Sequence, residues 1–132
     1  MWHIDRHHKL IRWGFVIHGI IDGFCRTVVG LQASTNNRAS TVLKVFAKAV
    51  EAFGWPSRMC GDCGGENKKV AVVMIHMCRL NRGSFMWGMS TRNTRIEWLW
   101  VEVGAQFRWR WRAFFYCVEH LHRLDVKNLF HL

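Results

Sequence analysis

Between Trp13 and Phe53 the spacing of apolar residues changes once, and that change constrains the fold more than any other feature. Trp13 to Ile21 is dense in β-branched and aromatic residues, and Cys25 to Ala33 carries Val28, Val29 and Leu31. Asp22-Gly23 lies between these two runs. An Asp-Gly pair between such runs is a strong hairpin signal. Past a polar break, Ser34 to Arg38, the period lengthens. Ala39, Val42, Leu43, Phe46, Ala47, Val50 and Phe53 recur at helical spacing. Asn36 or Asn37 can cap this helix, Gly54 can end it, and Pro56 follows.

The flanking segments extend the pattern. Trp2 to Lys9 is short, extended in character, and able to pair with the hairpin's outer edge. Ser57 to Gly61 is a connector or strand ending at Asp62, and Gly64-Gly65 is a turn. Glu66 to Arg79 reads as a second helix with Val70, Val73, Met74 and Met77 on one side. Asn81-Arg82-Gly83 breaks it, and Ser84 to Met89 has the character of one more strand. A third helix is expected from Asn93, with Ile96, Leu99, Trp100 and Val103 spaced for burial and Gly104 interrupting it. Phe114 to Leu124 is expected to be helical again. The class is α/β (α+β): a mixed sheet with flanking helices in one domain.

Charge narrows the partners. Nineteen Lys and Arg against nine Asp and Glu give 132 residues a net charge of +10. Thirteen of the cations are Arg, whose planar fork suits phosphate. Nucleic acid is the first partner to consider. A basic globular protein with no such role is the plain alternative. Half the residues are hydrophobic, which excludes global disorder. The stretch Trp13 to Leu31 is cut by Asp22 and Arg26, so no membrane span is expected. The first residues lack the pattern of a signal peptide. An odd cysteine count, five, then points to reduced thiols in an intracellular compartment.

With so few acids, each carboxylate is a candidate for a specific task. Asp5 falls on the first strand, Asp62 at the end of the strand after the first helix, and Glu97 near the start of the third helix. Three hard oxygen ligands from separate elements can converge at one sheet edge, where their mutual repulsion calls for a cation. Mg²⁺ or Mn²⁺ suits such ligands. Two such ions roughly 4 Å apart serve phosphodiester chemistry.

These residues sit in stretches that together resemble a known family. The stretches are Trp2-His3-Ile4-Asp5; Ile17-His18-Gly19 with Ile21-Asp22-Gly23; Ser34 to Val42; Phe53-Gly54 with Pro56-Ser57-Arg58; Asp62 with Gly64-Gly65-Glu66-Asn67; and Asn93-Thr94-Arg95-Ile96-Glu97 with Leu99-Trp100. Leu121 to Leu132 also fits. The chain resembles the integrase-core (D,D,E) domains of retroviral integrases and transposases, and looks closest to transposon-derived integrase-core proteins of eukaryotic genomes.

The resemblance implies a ribonuclease-H-like fold over residues 1–132, incomplete at both ends. It implies Asp5, Asp62 and Glu97 as catalytic, metal-binding triad for two Mg²⁺ or Mn²⁺ ions. It further implies DNA as partner, strand cleavage and transfer as reaction, and a nuclear location. Self-association stays open. Arg6 stands where the family has a small residue, and Trp98 and Val101 stand where basic residues are usual. Whether this copy is active, or is a non-catalytic nucleic-acid-binding domain of the same fold, is therefore open.

Other residues carry two readings each. Asp22 reads as a turn residue. Glu66 suits a helix start, where an acid favours the dipole, with a substrate or metal contact secondary. Lys68 and Lys69, beside Asp62, are solvated or contact a DNA backbone. Asn93 and Arg95 precede Glu97 and are positioned to meet phosphate, although Asn93 serves equally as a helix cap. Cys60 and Cys63 with His3 and His7 form a weak zinc pattern, since no second C-x-x-C exists. Arg108-Trp109-Arg110-Trp111-Arg112 interleaves cations with aromatics. Such a run can hold phosphate and stack on bases, or lie on a membrane surface.

Overall fold

The computed structural model describes residues 1–78, 82–88 and 94–121. Strand β1 (Trp2–His7) is followed by the hairpin β2 (Val16–Asp22) and β3 (Val28–Ser34). Next come α1 (Ala39–Phe53), β4 (Met59–Gly61), α2 (Lys68–Met77), β5 (Phe85–Trp87), α3 (Thr94–Val103) and α4 (Trp109–Leu121). The five strands form one sheet in the order β3-β2-β1-β4-β5. β1, β2 and β3 are antiparallel, whereas β4 runs parallel to both β1 and β5. The expected mixed sheet with flanking helices is met.

The β2–β3 hairpin forms as expected, but through residues 23–27 rather than a two-residue Asp-Gly turn, with Arg26 and not Gly23 in the left-handed region at φ 60°. The Asp22 carboxylate accepts the backbone N–H of Phe24 at 2.7 Å, a side-chain mimic of a turn bond. α1 ends where Gly54 adopts φ 80°, with its N–H donated to the Val50 carbonyl. The start of α1 differs from expectation. Neither Asn36 nor Asn37 is the capping position; Arg38 is, without a side-chain cap. Asn36 acts one step earlier, accepting from Arg38 N at 3.1 Å and Thr41 Oγ1 at 2.7 Å.

Strand alternation sends residues to two layers. On one face Trp2, Ile4 and Ile20 pack against Val42, Val45, Phe46 and Ala49 of α1 and Val70, Ala71 and Met74 of α2. Val45 and Ala49 are buried in α1, while Ala47 and Phe53 are exposed. The apolar arc of this helix is wider than one stripe, and the sheet covers only its centre. On the other face Ile17 and Ile21 meet Ile96, Leu99, Trp100 and Val103 of α3, with Leu10 and Trp13 completing the cluster. Each large side chain enclosed this way contributes about 1.5–3 kcal/mol.

Two expectations near the C-terminal helices are corrected. Gly104 does not break the chain's helical course; Gly104–Arg108 is a π-helical stretch that leads directly into α4. A wider turn absorbs an extra residue without ending the helix. α4 consequently begins at Trp109 rather than Phe114. Among the described residues no helix is long and apolar enough to cross a membrane.

Candidate active site

Asp5 occupies the β1 position paired with Gly19 of β2, on the face covered by α3. Gly19 matters because a Cβ there would lie 2.6 Å from Trp100 Cη2. Its absence lets the Trp100 indole reach across the sheet and donate Nε1–H to Asp5 Oδ2 at 2.9 Å. The parallel register pairs Trp2 with Met59 and His3 with Cys60. Continued two residues further, that register brings Asp62, just past β4, level with Asp5. The two carboxylates feel each other. Burial raises the Asp5 pKa above its usual value, the negative Asp62 adds to the rise, and the Trp100 bond opposes it.

Asp62 is held by the loop it opens. Its Oδ1 accepts from Asn67 Nδ2 at 2.7 Å and from Gly64 N at 3.1 Å. Gly64-Gly65-Glu66-Asn67 thus wraps round the second acid, giving that sequence stretch a physical purpose. Glu66 lies in the first turn of the 3₁₀ stretch Gly65–Asn67, which runs straight into α2, as expected of an acid at a helix start. It is buried before α2 begins and pairs with the Arg6 guanidinium. The unexpected Arg6 therefore has its counter-charge one loop away.

Glu97 stands one turn before Trp100 on α3 and is exposed. It lines an open depression of about 430 Å³ with His7, Trp100, Val101, Gly104, Ala105 and Arg108. His7 stacks on Trp100 with ring centroids 5.1 Å apart. Its pKa is lowered to about 4, first by burial and then by the charges of Arg108, Lys9 and His8. His7 Nε2 is buried and has no hydrogen-bond partner. Cations thus gather where β1 ends.

A family model described as an integrase core domain matches residues 1–132, the whole chain. The chain belongs to the integrase core domain family. A comparison with curated proteins returns no match. The ribonuclease-H-like expectation agrees with the strand order of this integrase core, and the family's business is DNA integration.

Integrase cores generally use divalent metal ions. Asp5 and Asp62 suit such an ion in donor chemistry, being adjacent hard carboxylates whose mutual repulsion a cation would relieve. The triad is not closed in this arrangement. Among the described residues no three His, Cys, Asp or Glu are gathered as a metal site. For the same reason the zinc set His3, His7, Cys60 and Cys63 is not assembled. Burial also pushes the Cys60 thiol pKa up, away from the thiolate that zinc requires.

The other site expectations separate. Lys68 and Lys69 are exposed at the start of α2 and border a shallow depression with Leu43, Val72 and Val73. That is the α1–α2 layer, across the sheet from α3. The Arg95 guanidinium donates to the Gly23 carbonyl, tying α3 to the hairpin turn. Asn93 lies outside the described residues. Trp100 as the partner of Asp5 was not legible in advance. Its spacing signalled burial, but nothing local indicates where its N–H points.

Proposed function

We propose that this integrase core derives from a transposon and binds DNA beside Asp5 and Asp62. With Glu97 these would form the metal-dependent site for DNA strand cleavage and transfer, acting in the nucleus. The observation that carries the reading is the pairing of Asp5 and Asp62 across β1 and β4, on the layer where Glu97 emerges from α3. Asp5, Asp62 and Glu97 would hold two Mg²⁺ or Mn²⁺ ions. When bound, such ions lower the pKa of the attacking water or 3′-hydroxyl and stabilise the leaving oxygen. The chain's own residues orient and hold. Trp100 fixes the Asp5 carboxylate, Asn67 and Gly64 fix Asp62, and Lys9 and Arg108 attract the phosphate backbone.

A second reading is favoured by the same hydrogen bonds. Asp5 and Asp62 are already engaged by Trp100 and Asn67, and the triad is open. That arrangement suits a domain that keeps the fold and the basic surface but binds DNA without cutting it. One experiment separates the two. A labelled DNA duplex is incubated with Mn²⁺ and either the wild-type chain or Asp62→Asn. Cleavage by the wild type alone supports the enzyme. No cleavage above a protein-free control by either protein, with salt-sensitive binding retained in both, supports the non-catalytic domain, and equal cleavage by both overturns the role of Asp62. Absence of duplex binding even at low salt removes both.

A further inference from the structure

α4 has no buried residue, although it is rich in aromatics. Phe115 and Tyr116 dock it on Trp13, with ring centroids at 5.4 and 4.9 Å. Arg12 and Trp13 both donate to Glu119, fixing the far end. Next to this docked face, and touching it where Trp111 packs on Phe115 at 5.8 Å, a second side of the helix stays exposed. There Phe107, Trp111 and Phe114 follow one another at helical spacing and touch, with centroids 5.7 Å apart at each step. Trp111 is 41% exposed and Phe114 54% exposed. At about 100° per residue, Arg110 lies beside this row next to Phe114 and Arg108 lies on its other side past Phe115, whereas Arg112 sits over the Tyr116 ring of the docked face. No acid lies between Ala105 and Cys117.

We propose that this aromatic row, with its flanking arginines, binds single-stranded DNA. Rings whose faces are open to solvent gain from bases that are themselves unstacked, and guanidinium groups beside them match the phosphates between those bases. A duplex hides its base faces and would use only the arginines. The choice of DNA over another anionic partner rests on continuity. Arg108 belongs both to the ridge and to the depression that holds Glu97 and the unpartnered His7 Nε2. A strand leaving the Asp5–Asp62 site would therefore meet the ridge directly. The inference goes beyond the proposed function but rests on its DNA reading.

The test uses the full chain and two labelled probes, an oligo-dT strand and a blunt duplex, read by fluorescence anisotropy at low salt. The paired change Trp111→Ala and Phe114→Ala should weaken oligo-dT binding by about tenfold or more. Duplex binding should change less than about twofold. Trp111→Tyr with Phe114 intact should restore most of the oligo-dT affinity, because a ring remains to stack. Far-ultraviolet circular dichroism of each variant checks that α4 persists. Unchanged oligo-dT affinity in the folded double variant overturns the ridge while leaving the duplex-binding site untouched. Equal loss on both probes also overturns it, since the residues would then act through the fold or through a general surface. Variant-sensitive binding to phosphatidylserine vesicles without variant-sensitive oligo-dT binding assigns the ridge to a membrane surface instead. A wild-type chain that binds oligo-dT but not duplex retains the ridge and removes the proposed function.

Discussion

Trp100 donates its indole N–H to Asp5 Oδ2 at 2.9 Å, joining α3 to β1 through the first acid of the motif. The bond sets the direction of a carboxylate that is otherwise poorly solvated, and burial raises the pKa of Asp5 despite it. Trp100→Phe removes the donor and also leaves a smaller ring in its place. It should cost about 1–2 kcal/mol near neutral pH and raise the Asp5 pKa further. Urea unfolding of both proteins at pH 7 checks the energy. Titration of the Asp5 carboxyl by carbon-detected NMR checks the direction. A raised carboxyl favours the folded state fully below its unfolded value and loses that contribution as pH climbs through the folded pKa.

Gly19 is the position that permits this bond. A methyl group there would meet Trp100 Cη2 at 2.6 Å and Leu99 Cδ2 at 3.0 Å. Gly19→Ala should therefore destabilise the fold by about 1–3 kcal/mol through overpacking. It should also displace the indole and shift the tryptophan emission. Unchanged melting and emission would mean that α3 is free to move away from the sheet.

Glu66 is buried, and its counter-charge is Arg6. Arg6→Ala leaves that carboxylate without its partner and should cost about 2–3 kcal/mol, below the cost of breaking a fully enclosed pair because Arg6 is partly exposed. The double change Arg6→Ala with Glu66→Gln should recover part of the loss. A denaturant-based mutant cycle measures the coupling.

Two imidazoles make the fold sensitive to mild acid. The pKa of His7 is lowered to about 4 and that of His18 is also lowered, burial being the main cause for each. Between the unfolded value of 6.5 and the folded value, the unfolded chain binds more protons. Stability should therefore fall as pH drops from about 6.5 toward 4 and level off below. His7→Phe should flatten this slope and preserve the stack on Trp100. Melting temperatures recorded from pH 4 to 7 give the comparison.

Much of the fold was legible because it is written locally. Asp22 opens its own turn by accepting from Phe24 N–H, Gly54 ends α1, and Ala39 to Phe53 shows its helical period without reference to any other segment. Asp5, Asp62 and Glu97 were expected as the acids of a site through resemblance, not through spacing. The Arg6–Glu66 pair was not legible. An arginine at a motif position reads as a departure until the loop after Asp62 is folded against it.

By itself, then, the sequence determined the order of strands and helices, which acids are scarce enough to matter, and the net basic charge. Tertiary structure decided the rest. Only the parallel register of β1 on β4 sets Asp5 level with Asp62, because two strands more than 50 residues apart carry no local signal of their alignment. Only the packing of α3 over Gly19 sends the Trp100 N–H to Asp5, and only the π-helical turn at Gly104–Arg108 carries the arginine–aromatic run onward as a continuous ridge. Periodicity marks the face a residue prefers, whereas hydrogen-bond partners depend on which distant face arrives opposite it.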